Sequence, residues 1–179
     1  ANITYNLAEP TTNKLIYAGG VITLNDLNIT YLDFTLENDM VIEPGVGGVV
    51  NLSSSTLDLN GKTLTIKGDL IHSGGALNVN GGTLIVEGDY RIQTPTVDAG
   101  VYTYSSGRLQ MTNALDKLLV QGDFVMDSAV SHNGLLTAGT LEVRGNFSQR
   151  STNTSSTTTR YNFSATGTHR VVLSGTAQQ

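Results

Sequence analysis

Three observations in the 179-residue sequence predict an all-β chain wound as a parallel β-helix, or β-solenoid. Four segments align without gaps: LTIKGDL (Leu64 to Leu70), LIVEGDY (Leu84 to Tyr90), LLVQGDF (Leu118 to Phe124) and LEVRGNF (Leu141 to Phe147). The first two stand 20 residues apart, a period that holds two or three short strands with glycine-rich corners, as one coil of a solenoid does. Stacking the copies at about 4.8 Å puts Lys67, Glu87, Gln121 and Arg144 in one column, where opposite or neutral neighbours meet. An antiparallel sandwich also suits short alternating strands, but it gives no reason for such columns.

Residues 1–55 read as irregular first rungs or a cap over the open core. Strand-like runs (Leu15 to Tyr17, Val21 to Leu24, Tyr31 to Leu36, Val49 to Leu52) are separated by Pro10, Gly19-Gly20 and PGVGG from Pro44 to Gly48. Residues 56–147 hold the clear repeats. Alternation turns Leu64 and Ile66, Leu84 and Val86, Leu118 and Val120, and Leu141 and Val143 inward, with the residues between them outward.

Each strand should end at a corner: Gly68-Asp69, Gly88-Asp89, Gly122-Asp123 and Gly145-Asn146. These residue types tolerate positive φ and Asx turns, so positive φ and local side-chain capping are expected there. The following column, Leu70, Tyr90, Phe124 and Phe147, reads as an apolar and aromatic stack inside the core. Upstream, LDLNGKTL (Leu57 to Leu64) and LNVNGGTL (Leu77 to Leu84) supply a second strand and a turn.

The next two intervals are 34 and 23 residues, and the excess of about 14 in the first fits a loop extruded from a corner, Thr94 to Arg108. Residues 148–160 form a polar, low-complexity loop. Residues 161–179 return to a strand at HRVVLSG (His169 to Gly175) and stop at a turn-like end without a cap. The whole reads as one domain, expected to belong to a longer chain or an assembly.

Composition narrows the function. Ten Lys plus Arg against fifteen Asp plus Glu give a net charge of -5, which leaves no basic footprint for a nucleic-acid backbone. No apolar run approaches the ~18 residues that insertion across a bilayer needs. The chain lacks Cys, so disulfides do not report its compartment. It begins at Ala1 without an initiator Met, as a mature exported protein does, and is rich in Gly, Ser, Thr and Asn. A secreted, extracellular or cell-surface protein is expected.

The runs TLDLNGKTLTIKGDLIHSGGALNVNGGTLIVEGDYRIQ (Thr56 to Gln93), TAGTLEVRGNFSQ (Thr137 to Gln149) and GTHRVVLSGTAQQ (Gly167 to Gln179) resemble the repeats of large bacterial surface and secreted parallel β-helix proteins. The resemblance covers Thr56 to Gln179 and implies an exported, adhesin-like or matrix-like module. Such repeats specify a fold more than a function.

No catalytic constellation is found. His72, His132 and His169 lack metal-ligand spacing and read as surface or turn residues. One corner carboxylate per rung is too few for the six to eight oxygens of calcium, so neither metal nor cofactor is expected. The outward column Thr65, Ile85, Leu119 and Glu142 offers no acidic pair for glycoside chemistry, and the interrupted threonine rank Thr63, Thr83, Lys117 and Thr140 argues against ice binding. Tyr102 and Tyr104, at i and i+2 in the extruded loop, are the candidate ligand-binding pair, since alternation turns both rings to one side and sugars stack on such rings.

The expected function is therefore a non-catalytic structural or adhesive module of a bacterial surface protein or filament. Its expected partners are polysaccharide or cell-surface glycan and further copies of itself at the solenoid ends. The alternative is a carbohydrate-binding or polysaccharide lyase-like β-helix.

Overall fold

The computed structural model describes residues 20–24, 27–30, 33–44, 48–154 and 162–176. The expected run Leu15 to Tyr17 lies outside them. The described residues form strands and turns with no helix.

The chain visits three sheets in rotation. A first pass gives β1 (Gly20–Leu24), β2 (Leu27–Thr30) and β3 (Asp33–Thr35), a second β4 (Met40–Pro44), β5 (Val49–Ser53) and β6 (Thr56–Asp58). A third gives β7 (Thr63–Ile66), β8 (Asp69–His72) and β9 (Ala76–Asn78). The fourth comprises β10 (Thr83–Val86), β11 (Tyr90–Pro95), β12 (Tyr102–Tyr104) and β13 (Arg108–Gln110). Then follow β14 (Lys117–Val120) with β15 (Phe124–Met126), β16 (Thr140–Val143) with β17 (Phe147–Gln149), and β18 (Arg170–Leu173).

The sheet orders follow this rotation: β1-β4-β7-β10-β14-β16-β18, β2-β5-β8-β11-β15-β17 and β3-β6-β9-β13. Every neighbouring pair along these three orders is parallel. The exception lies off them, where β12 folds back antiparallel on β11 in the Thr94 to Arg108 insertion.

Register carries the sequence repeat into space. Leu64 pairs with Leu84, Leu84 with Leu118 and Leu118 with Leu141, while Ile66, Val86, Val120 and Val143 do the same two residues on. All eight are buried, as the alternation requires. Leu57, Leu77 and Leu109 close the core from the third sheet.

The aromatic column is also present, with Tyr90 between Leu70 and Phe124, and Phe124 paired with Phe147. Tyr90 meets Phe124 edge-on at 5.5 Å between centroids, and Phe147 stacks on Phe124 at 5.4 Å. Phe147 is only half-buried; among the described residues it meets Phe163, edge-on at 5.0 Å.

The corners work differently from the expectation. Gly68, Gly88, Gly122 and Gly145 do not have positive φ. They are glycines because rungs approach too closely for a side chain. A Cβ on Gly88 would stand 2.2 Å from Asp69 Oδ1, one on Gly122 2.4 Å from Asp89 Oδ1, and one on Gly145 2.4 Å from Gly122 O.

Nor do the aspartates cap their own turns. Asp69 Oδ1 accepts the Asp89 amide, Asp89 Oδ1 the Asp123 amide and Asp123 Oδ1 the Asn146 amide, each at 2.8 Å. Positive φ occurs instead at the Asn-Gly pairs: Asn60 (48°) with Gly61 (75°), and Asn80 (45°) with Gly81 (79°). Lys62 N donates to Leu59 O and Gly82 N to Val79 O, both at 2.8 Å. Two central residues with φ > 0 define type I′ turns, for which Asn-Gly is the preferred pair.

Candidate functional site

Three polar groupings stand apart from the regular core. The first is the corner ladder. Each inner carboxylate oxygen of Asp69, Asp89 and Asp123 is taken by the next rung's amide, and Asp123 Oδ1 also accepts from Asn146 Nδ2 at 3.1 Å. Other carboxylates repeat the device: Asp39 Oδ1 accepts the Thr63 amide at 2.8 Å and Asp33 Oδ1 the Thr56 amide at 3.1 Å. Among the described residues, no group of three or more His, Cys, Asp or Glu is placed to hold a metal ion. The ladder's chemistry is structural: charge-assisted hydrogen bonds that fix one rung on the next.

Outward charges pair both between rungs and along one rung. Lys67 pairs with Glu43 of the preceding rung at 3.4 Å. Arg144 pairs with Glu142 at 3.6 Å, and Glu142 also accepts from Ser174 Oγ at 2.7 Å.

The second grouping is a buried aromatic and imidazole cluster, where the sequence reading placed surface histidines. His72 and His132 are fully buried. Three consecutive residues, Leu70, Ile71 and His72, are buried at the end of β8, where strand alternation gives way to the next corner. His72 Nδ1 lies 3.0 Å from the Tyr90 hydroxyl, and the two rings stack at 6.3 Å. His132 Nε2 accepts the Leu109 amide at 3.0 Å, so its ring proton resides on Nδ1.

Burial pushes the His72 imidazolium down to about 3, His132 adding to the effect, and burial pushes His132 down to about 4. Burial also raises the Tyr90 phenol. All three are therefore neutral at pH 7 and act as hydrogen-bonding core residues. His169, half-buried, donates from Nδ1 to Ala138 O at 2.7 Å.

The third grouping is the hairpin. Tyr102 lies opposite Pro95 and Tyr104 opposite Gln93, so both rings share one face of the ribbon, as the i, i+2 spacing predicts. The two tyrosines then differ. The Arg91 guanidinium sits 5.1 Å from the Tyr102 ring centroid and is held by Asp89 Oδ2 at 2.7 Å, which occupies one face of that ring. Tyr104 is 40% exposed.

Beside them, sequence reasoning missed a buried polar layer. Asp127 accepts Gln93 Nε2 at 3.3 Å, the Thr152 amide at 3.0 Å and Thr152 Oγ1 at 2.8 Å. Its one legible sign is an acidic residue placed three after the aromatic Phe124.

A scan against protein-family models finds no match, and searches of curated proteins and of solved structures return none.

Proposed function

We propose that this chain is a parallel β-solenoid and serves, outside the cell, as a non-catalytic structural or adhesive module of a bacterial surface protein or filament. The observation that supports this most is the corner ladder. Its carboxylates are spent on joining rung to rung, which suits a rod built by repetition.

Self-association belongs to the same reading. Val171 and Leu173 continue the two inward columns after Leu141 and Val143, yet are 37% and 54% exposed, and no described strand lies on the outer edge of β18. Such an edge takes up another strand. Analytical ultracentrifugation over a concentration series, with electron microscopy of the same samples, tests it: end-to-end assembly should be lost in Leu173→Lys. A monomer at all concentrations removes self-association from the proposal.

A second reading, carbohydrate binding, is favoured by Tyr104. Its exposed ring stands at the base of an extruded hairpin, and loops on rigid scaffolds carry recognition. Retention on polysaccharide columns should be lost in Tyr104→Ala. If the unmodified protein is not retained, or Tyr104→Ala is retained as well, this second reading fails.

A further inference from the structure

We propose that Asn133–Gly134 is a site of spontaneous covalent modification, where the folded protein converts an asparagine carboxamide to aspartate and isoaspartate. The sequence has three Asn-Gly pairs, at Asn60, Asn80 and Asn133. Asparagine is thermolabile, and a following glycine leaves the main-chain nitrogen least hindered for attack on Cγ.

The reaction is balanced by water alone. Gly134 N gives its proton to a solvent base and forms a bond to Asn133 Cγ. The Cγ–Nδ2 bond breaks, ammonia leaves with a proton, and a succinimide ring remains. One water molecule then opens the ring. Addition at Cγ gives aspartate, and addition at the main-chain carbonyl carbon gives isoaspartate.

The fold protects two of the three pairs. Gly61 N donates to Asn80 O at 3.0 Å, and Gly81 N donates to Asp116 Oδ1, so both potential nucleophiles are bonded to another rung. Both carboxamides are also engaged, Asn60 Nδ2 with Leu36 O at 3.2 Å and Asn80 Nδ2 with Asp58 Oδ1 at 3.0 Å.

Asn133 differs in its hydrogen bonding. All three asparagines are exposed, but neither Gly134 N nor the Asn133 carboxamide has a hydrogen-bond partner among the described residues. Nitrogen and side chain are free to approach each other.

The turn that reacts is tied to the body. Leu135 N donates to His132 O at 3.0 Å, and Met111 N to Leu135 O at 2.7 Å. Isoaspartate inserts a methylene into the main chain between these anchors, and either product takes the net charge from -5 to -6.

Native protein held at mildly alkaline pH, then digested and mapped by mass spectrometry, tests the assignment. Product should form at Asn133 at least about tenfold faster than at Asn60 or Asn80, equivalent to about 1.4 kcal/mol in barrier. In denaturant the three rates should converge. Asn133→Gln should remove the acidic species seen by ion exchange of the native protein. Comparable native rates at all three sites, a faster rate at Asn60 or Asn80, an acidic species surviving in Asn133→Gln, or an inert Asn133 in the folded chain overturns the proposal.

Discussion

Alanine at Gly122 should be among the most damaging single-methyl additions in this protein, although the backbone there is ordinary. The new Cβ would lie 2.4 Å from Asp89 Oδ1 and 2.7 Å from the carbonyl carbon and oxygen of Gly88. Ordinary contact begins near 3.4 Å, so the Gly88 backbone must move away by about 0.7 Å and Asp89 Oδ1 by about 1 Å. Backbone in a paired rung does not yield as a flexible side chain does.

Two hydrogen bonds cross this gap, Gly122 N to Gly88 O at 3.0 Å and Asp123 N to Asp89 Oδ1 at 2.8 Å. Losing both costs about 1 kcal/mol each, and overpacking adds about 1 to 3 kcal/mol, for a total of about 3 to 5 kcal/mol. Gly100 is the control. Its φ is +77° but a Cβ there would meet nothing within 4 Å. Gly100→Ala should therefore cost only the left-handed backbone term, about 1 to 2 kcal/mol.

Urea denaturation of the two variants beside the unmodified protein measures the difference. Gly122→Ala equal to or milder than Gly100→Ala would refute the close-approach argument and restore backbone conformation as the reason for the corner glycines. Gly68→Ala should fall between them, because its clash, at 2.9 Å, is with the Pro44 ring and not with backbone.

Phe124→Ala should cost about 3 to 5 kcal/mol, since its ring lies buried between Tyr90 and Phe147; an unchanged denaturant midpoint would contradict that placement. Asp89→Ala removes the acceptor of the Asp123 amide and the partner of Arg91, and should lose about 1 to 3 kcal/mol, equally with and without calcium in a thermal melt. Acid should destabilise the fold through His72 and His132, whose folded values of about 3 and about 4 lie below the ordinary 6.5. The unfolded chain then takes up protons that the folded one refuses, so stability is complete above about pH 6.5 and falls by up to about 1.4 kcal/mol per pH unit per histidine below it. The decline should level off beneath the folded values, and a melting temperature flat from pH 7 to pH 4 would show that these rings are not buried neutral.

The strands and inward columns were legible because they depend on neighbours two residues apart. Leu64 and Ile66 alternate with Thr65 and Lys67, and the same pattern recurs at a fixed offset, so face and register follow from spacing. Corner chemistry was not legible. The partner of Asp69 is an amide 20 residues away, and no local feature separates that bond from a turn cap. The histidines escaped for a different reason: they were read by metal-ligand spacing alone, although alternation from the inward Leu70 turns His72 to the same buried face, and it is Ile71 whose burial breaks the alternation. The shared face of Tyr102 and Tyr104 follows from i, i+2 spacing, but the guanidinium on Tyr102 comes from Arg91 across the hairpin.

The ladder also explains how the fold tolerates its hairpin. Asp69 and Asp89 are linked by 20 residues and Asp89 and Asp123 by 34, yet the bonds measure the same 2.8 Å. Closing the longer segment costs only about 0.5 kcal/mol more in loop entropy, from the logarithmic dependence on length, which is less than one charge-assisted hydrogen bond returns. Register is thus set at the corner, where glycine admits close approach and aspartate reaches the next amide. What lies between two corners is free to change in length. The hairpin bearing Tyr102 and Tyr104 occupies such a freed interval, so new side chains can be presented there without disturbing the stacking of Leu84 on Leu118. In this architecture the insertions can vary in length and side chains while the columns keep the strands in register.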